Sequence, residues 1–329
     1  MTVSVIIVTH NRPHDLEVCL TSILGQSVLP MEVVIVDNGA EELVRSVLDK
    51  VAGKAGESGV ELKYLPNLRE NSLTIGRNIG ACESKGDIVL YLDDDVVLST
   101  DYIKEILRVY AGHPEAVGVQ GYITNLRTKW SLPADFFGWF FCLGYLSPDR
   151  CSVLPSAGTV YPRPLTKVVN CEWLSGANHS YRREILGVFK YDENLKKWSQ
   201  CEDIDFSYRV YKRYPKGLYI TPAAALKHNI STAGRMARKD LAYMCEIYEL
   251  YFYHRNMPGT ALNSLVYGWS RLGKFFHGAF RAVRTGDISE IVYLCGALAE
   301  CLRHRAEIKR GDLSFFNNTL KQRGAVSGG

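Results

Sequence analysis

The chain has no apolar run long enough to cross a bilayer. Its nearest stretch, IVYLCGALA at 291 to 299, falls well short of the roughly 20 residues that a spanning helix needs. Nine cysteines lie scattered without a C-x-x-C pair, which removes the usual zinc spacings, and the odd count argues against a disulfide framework. Reduced thiols are therefore expected, and with them a cytoplasmic setting that includes the cytoplasmic face of a membrane. No tract of Lys and Arg stands out and the net charge is only +4, so nucleic acid is not an expected partner. The opening MTVSVIIVTH has no basic leader and only about six apolar residues, shorter than a signal-peptide core. The Asn-x-Ser/Thr triplets at Asn178, Asn229 and Asn317 then have no reason to be glycosylated. Closely spaced glycines are also missing after the first predicted strand: THNRP is neither a dinucleotide fingerprint nor a P-loop.

What is present is an apolar chain, 329 residues at 47% hydrophobic content, enough for one large domain or a domain with an appendage. Short apolar runs at 3 to 8, 32 to 37, 60 to 65 and 86 to 95 read as strands. Helical periodicity falls near 14 to 25, 40 to 51, 74 to 84 and 100 to 112. This alternation predicts an α/β fold with a mostly parallel central sheet covered on both faces. Three predicted strands end in polar residues: Thr9, His10 and Asn11; Asp37 and Asn38; and Asp93, Asp94 and Asp95. Ligands of open α/β sheets bind outside the carboxyl ends of the strands. Three adjacent carboxylates repel one another and call for a cation, unless they simply form a solvated turn. With no glycine-rich phosphate cradle available, a hard divalent cation, Mg²⁺ or Mn²⁺, is the expected bridge between carboxylates and a diphosphate.

The run VSVIIVTHNRPHDLEVCLTSILGQSVLPMEVVIVDNGA, followed by GRNIGA and LDDD, resembles the catalytic domain of family 2 inverting glycosyltransferases, over roughly residues 1 to 230. The resemblance implies the GT-A nucleotide-diphospho-sugar transferase fold. It places Thr9, Asn11, Arg12, Asp37, Arg77 and Asn78 at the donor nucleotide, with Asp93 facing the ribose and Asp95 on the metal. WLSGAN, expected as a strand running into a tight turn with Gly176 supplying backbone freedom, resembles a donor and acceptor loop; Gly176 and Ala177 would border the sugars. Trp173 and Trp198 either stack on a sugar or serve as core aromatics.

In QCEDIDFSYRVYKR, Glu202 and Asp203 open a predicted helix, where acidic residues also suit the helix dipole. The resemblance makes one of them the catalytic base; Asp203 is the first choice and Glu202 the second. It likewise puts His228 on the metal or diphosphate, although a lone His is often structural. Arg235 follows as a diphosphate lid. The implied reaction moves a sugar from a nucleotide diphosphate sugar to a hydroxyl of a glycan or lipid-linked glycan, by direct displacement with inversion. Two other classes remain open. A sugar-1-phosphate nucleotidyltransferase would show a basic glycine-rich first loop, which THNRP is not, and a non-catalytic sugar-nucleotide or glycan-binding relative need not keep every acidic residue.

The expected organisation is a catalytic domain over 1 to 240, split near residue 120 into nucleotide and acceptor halves. A helical extension over 241 to 320 and a flexible tail over 321 to 329 follow. Leu262, Leu265, Val266, Trp269, Leu272, Phe276, Phe280 and Val283 recur at helical spacing, with Arg271, Lys274, Arg281 and Arg284 on other faces. Such a helix either lies on an anionic membrane surface or packs on its own catalytic domain.

Overall fold

The computed structural model of the chain describes residues 1–125, 132–231 and 236–326. Its first part alternates β1 (Val3–Thr9), α1 (Pro13–Ile23), β2 (Glu32–Asp37), α2 (Glu41–Ser58), β3 (Glu61–Pro66), α3 (Leu73–Glu83) and β4 (Ile88–Asp93). These four strands pair in parallel in the order β4-β1-β2-β3. Every residue of β1 is buried, so its period of two divides one hydrophobic layer from another rather than core from water. Val3, Val5 and Ile7 enter the cluster on one face of the sheet, Ile6 and Val8 the cluster on the other. Each fully buried aliphatic side chain contributes about 1.5–3 kcal/mol, which is why these strands read as continuous apolar runs.

Pro13 suits the first turn of α1, and Leu16, Cys19, Leu20 and Ile23 then face the core at helical spacing. In α3 the glycines set the distance to the sheet. A Cβ on Gly76 would stand 2.6 Å from Val8 Cγ1, and one on Gly80 would stand 2.5 Å from Ile6 Cγ2. Only glycine lets the helix lie so close to β1. That approach delivers the adjoining Arg77 to the end of β4.

The chain continues through β5 (Val96–Leu98), α4 (Tyr102–Gly112), β6 (Gly118–Ile123), α5 (Leu132–Phe140), β7 (Tyr145–Ser147), β8 (Ser152–Val153), β9 (Thr159–Pro162) and β10 (Val169–Asn170). Then come β11 (Asn178–Arg182), α6 (Arg183–Val188), α7 (Glu202–Arg213) and β12 (Leu218–His228). The main sheet has nine strands in the order β10-β12-β6-β11-β4-β1-β2-β3, with β5 paired to β12; β7, β9 and β8 form a small second sheet. WLSGA is the turn itself, because the strand before it is only the two residues of β10. The strand that follows, β11, lies antiparallel between β4 and β6. Its polar residues survive in the middle of the sheet because their groups are bonded. Asn178 Nδ2 donates to Gly121 O at 3.0 Å, Ser180 Oγ to Val119 O at 2.7 Å, and His179 Nδ1 lies 2.8 Å from Ser175 O.

Beyond residue 236 the described chain is helical: α8 (Arg238–Asn256), α9 (Ala261–Thr285), α10 (Ser289–Arg303), α11 (Arg305–Arg310) and α12 (Ser314–Val326). Residues 321–326, expected within a flexible tail, continue α12. α8 buries Met244, Ile247, Tyr248 and Phe252 in a third apolar cluster with Leu313 and Phe316. Arg271 and Lys274 of α9 correct the expected basic outer face, since both turn inward to carboxylates of α8. Arg271 Nη1 lies 2.7 Å from Glu246 Oε2, and Lys274 Nζ is 2.6 Å from both Glu246 Oε1 and Glu249 Oε2. Burying these cations requires paired carboxylates, and α8 supplies two. All nine cysteines are free. Among the described residues, no helix is long and apolar enough to cross a membrane.

Candidate active site

The three consecutive aspartates at the end of β4 each meet a different cation, brought by a different part of the fold. Arg77 Nη2 of α3 lies 3.3 Å from Asp93 Oδ1, Arg12 Nη1 lies 3.1 Å from Asp94 Oδ1, and His228 Nε2 at the end of β12 lies 3.0 Å from Asp95 Oδ1. Thr9 Oγ1 also donates to Asp94 Oδ2 at 2.8 Å. The repulsion that the sequence raises is thus offset inside the protein, though unequally. Burial pushes Asp94 up to about 7 against the pull of Arg12 and Thr9. Burial also raises Asp93, despite Arg77 and His228. For Asp95 burial loses: His228, the Ser231 N–H at 2.9 Å and Arg12 together hold its carboxyl below the ordinary value. Burial likewise opposes the charged form of His228, but Asp95 and Asp93 outweigh it and raise the imidazole.

Glu202 and Asp203 begin α7, as their pattern predicts. The approach to that helix is contorted, with Lys197, Ser199 and Cys201 at φ of 59°, 49° and 68°. Left-handed backbone at residues other than glycine costs on the order of 1–3 kcal/mol each and concentrates at functional sites. Gly176 ties the two acids together. Its N–H donates to Asp203 Oδ2 at 2.7 Å, and its carbonyl accepts from Arg77 Nη2 at 2.8 Å, while Arg77 Nη1 reaches Glu202 Oε1 at 2.8 Å. Space, not backbone freedom, demands glycine there: a Cβ would stand 2.9 Å from Glu202 Oε1, and the residue is absent from the positive-φ glycines. Burial and the neighbouring Asp203 push Glu202 up to about 8 against Arg77. Burial raises Asp203 as well, opposed by the N–H groups of Gly176 and Ile204. Arg77 stays protonated because Glu202, Tyr191 and Asp93 outweigh its desolvation.

Both constellations open into one cavity of about 1220 Å³. Thr9, Arg12, Arg77, Asp93 and Asp95 line one part of it. Gly176, Ala177, Trp198, Glu202, Asp203 and His228 line the rest. Four expected residues lie outside this lining. Asn11 Oδ1 accepts from Ala40 N at 2.9 Å, and Asp37 accepts from Gly39 N at 2.7 Å and Tyr64 Oη at 3.1 Å. Asn78 clamps Tyr191, donating to its carbonyl at 3.0 Å and accepting from its N–H at 2.9 Å. Trp173 is buried and donates to Val160 O at 3.1 Å, so it is not on the cavity wall. Trp198 reaches the wall, but the Arg12 guanidinium sits over its ring at 4.7 Å. Arg235 lies outside the described residues. Sequence reasoning gave no site role to Asp94, His10, Asn71, Lys197, Gln200 or Arg238, which also line the cavity. His10 and Asp94 had a signal in their place at strand ends; the others are loop and helix-start residues that only tertiary packing brings in.

Asp93, Asp95 and His228 offer ligand atoms all within 4.8 Å of one another. Asp95 Oδ1 is buried and faces the imidazole of His228, whose Nε2 lies 3.0 Å away, so the two close neighbours are themselves both metal-ligand atoms. Two carboxylates and an imidazole fit a hard or borderline divalent cation, the imidazole favouring Mn²⁺ over Mg²⁺.

The model of the glycosyl transferase family 2 matches residues 4–189. The chain belongs to that family. A glucosyl-dolichyl phosphate glucuronosyltransferase of Haloferax volcanii is 25% identical over 240 residues, 70% of each protein. An uncharacterised glycosyltransferase of Nostoc sp. is 29% identical over 196 residues, 58% of this chain and 54% of the relative. Among solved structures, Staphylococcus aureus TarS 1–349 with UDP-GlcNAc matches with a TM-score of 0.56 at 15% identity, over 98% of this chain and 92% of that one. The Pyrobaculum calidifontis mannosyltransferase PcManGT with GDP-Man and Mn²⁺ matches with a TM-score of 0.54 at 15% identity, over 94% and 84%. GalNAc-T7 with UDP, GalNAc and Mn²⁺ matches at 0.53, with 17% identity, over 83% of this chain; the chain spans 55% of that protein. These likenesses carry the fold, which is GT-A as expected, with a helical C-terminal region added to the family domain.

Proposed function

We propose that the chain transfers a sugar from a nucleotide diphosphate sugar to a hydroxyl of a glycan or lipid-linked glycan, inverting the anomeric carbon. The observation that carries this reading is the shared cavity: Asp203 and the Asp93–Asp95–His228 group line the same space. Asp203 serves as the base. Glu202 is less suited because Arg77 engages its Oε1 and its side chain is only 8% exposed. Asp203 accepts two backbone N–H bonds, from Gly176 and Ile204, which fix its carboxylate at the cavity wall. It takes the acceptor's proton as the acceptor oxygen bonds to the anomeric carbon and the bond to the nucleoside diphosphate breaks. Burial raises its pKa, which makes its carboxylate a better proton acceptor.

Asp93, Asp95 and His228 would hold Mn²⁺ or Mg²⁺, which when bound neutralises charge on the leaving diphosphate. Thr9, Arg12 and Asp93 face the nucleotide, with Asn11 and Asp37 at the strand ends behind them; Asn78 holds the backbone of Tyr191, whose ring lies under the Arg77 guanidinium at 5.3 Å. Arg77 acts by positioning, fixing Glu202 and the Gly176 turn. Gly176, Ala177 and Trp198 border the sugars. Residues 1–240 form the catalytic domain, to which the helices over 241–320 are joined, and their Leu241 and Leu320 complete the cavity wall. The name of the Haloferax relative supports an acceptor carried on a lipid phosphate. The test is a panel of nucleotide sugars with Mn²⁺ or Mg²⁺, following nucleoside diphosphate release. One or more donors should be cleaved slowly without acceptor and faster with a lipid phosphate or glycan present, whereas no release under any condition would sink the reading.

A further inference from the structure

Two helices from distant parts of the chain leave one aromatic surface uncovered. α5 exposes Phe136 (62%), Trp139 (57%) and Phe140 (47%), and α9 exposes Trp269, Phe276 and Phe280. They are joined as a single face. Trp269 Nε1 donates to Phe140 O at 2.7 Å, and the two rings meet edge to face with centroids 5.4 Å apart. Below them Phe141 is buried against α9 at Gly273, where any Cβ would come within 2.4 Å of its own. Contiguous exposed apolar surface on this scale marks an interaction site.

The charge pattern identifies the occupant. α9 contains no Asp or Glu, and the one carboxylate of α5, Asp135, is buried with its Oδ1 accepting from Leu146 N at 3.3 Å. Neither helix therefore presents an exposed carboxylate. Arg271 and Lys274 are spent internally on Glu246 and Glu249. Toward the C-terminal end of α9 the remaining cations are Arg281, on the side facing α10, where it reaches Glu290 Oε2 at 2.9 Å, and Arg284. An aromatic centre with arginines at one end and no exposed acid on its helices complements a bilayer interface, where rings sit at the headgroup level and arginines meet lipid phosphates.

Position gives the surface a purpose. α5 packs on β7, and Tyr145 and Leu146 of β7 line a second cavity of about 270 Å³ together with Trp173 and Ser175. Ser175 also lines the large cavity, next to Gly176. One strand and one turn thus separate the aromatic face from the proposed base.

We propose that the α5–α9 face docks the protein on a phospholipid bilayer, seating the rings at the interface and Arg281 and Arg284 among the headgroups. The purpose rests on the glycosyl-transfer reading, but the test does not, because vesicle binding and donor cleavage are measured separately. Binding here is chiefly apolar, with a small electrostatic part. The full chain is floated with vesicles of phosphatidylcholine alone and of phosphatidylcholine with phosphatidylglycerol, at low and high salt. It should float with both and better with the anionic mixture, and salt should remove only the increment, because screening leaves the apolar part intact. Leu265 and Phe280 are 72% and 62% exposed, so the Leu265→Glu, Phe280→Glu double variant keeps the core and should lose at least about tenfold in vesicle partition. Trp139→Ser, on the other helix, should weaken flotation too and reduce the blue shift of tryptophan emission that vesicles induce, leaving the part due to Trp269. Wild-type protein that stays at the bottom of every gradient overturns the proposal, as does flotation that the variants leave unchanged. If sedimentation shows a dimer that the same variants dissociate, a second copy covers the face and the proposal is wrong. Donor cleavage that persists when flotation fails would sink the docking inference alone; flotation without any cleavage would sink the transfer reading alone.

Discussion

Replacing Arg77 by Met tests whether the site is held by one guanidinium. Arg77 is 2% exposed and its two terminal nitrogens reach Glu202, Gly176 and Asp93 at 2.8, 2.8 and 3.3 Å. Methionine fills much of the volume but leaves a buried carboxylate without its partner, for which removal of one member of a buried pair typically costs about 3–5 kcal/mol. For a chain of 329 residues the unfolding entropy is roughly 0.7 kcal/mol per kelvin, so the melting temperature should fall by about 4–7 °C. The loss should depend on pH with a definite sign. Without Arg77 the already raised Glu202 binds its proton more firmly in the folded than in the unfolded protein. Its protonation then supports folding below the ordinary carboxylate range, and that support fades as pH rises through its folded value, which is about 8 even with Arg77 in place. The deficit relative to wild type should accordingly be larger at about pH 8 than at about pH 5. Adding Glu202→Gln removes the stranded carboxylate, and the double variant should regain about 1–3 kcal/mol, the coupling expected of contacting residues. Thermal melts of the four proteins at the two pH values suffice. An Arg77→Met melt within about 1 °C of wild type, or a double variant no more stable than the single, would refute the reasoning.

Two further outcomes are expected. Asp95→Asn, which removes the charge of the carboxylate that faces His228 in the candidate metal cluster, should weaken binding of Mn²⁺ alone, read by calorimetry or electron paramagnetic resonance, by at least about tenfold; unchanged affinity would place the metal elsewhere. Arg271 and Lys274 overcome the burial of Glu249 and hold its carboxyl down to about 2, so its contribution to stability is present above the ordinary carboxylate pKa and lost as pH falls toward that value. The melting gap between wild type and Glu249→Gln should therefore be widest near neutrality and narrow on acidification, and a gap that widens in acid would contradict the assignment.

The parallel half of the fold is legible in the sequence because its strands are buried on both faces and read as unbroken apolar runs, as VSVIIV and EVVIVD do. β11 is not, because NHSYR has the composition of a loop and becomes a strand only through partners on β6 and α4, such as Gly121 O and Tyr102 Oη. The acidic run asks for a cation, but which cations arrive depends on helix packing. Gly76 and Gly80 bring α3 down onto β1 and Arg77 with it, a relation that GRNIGA announces only as two small residues four apart. The turn of Arg271 and Lys274 into the protein was hidden for a similar reason: periodicity separates the faces of a helix without saying which one its neighbours cover. The acids that cover it, Glu246 and Glu249, lie about 25 residues earlier on a different helix.

The central claim, that this cavity transfers sugar with Asp203 as its base, is tested most directly by the rate of transfer in Asp203→Asn measured beside its affinity for the donor. Asparagine keeps the size and an oxygen to accept the Gly176 N–H, while removing the proton acceptor. Transfer should fall by roughly 10²-fold or more with donor affinity within a few-fold of wild type, the usual scale for loss of a general base. Transfer at the wild-type rate would contradict the account.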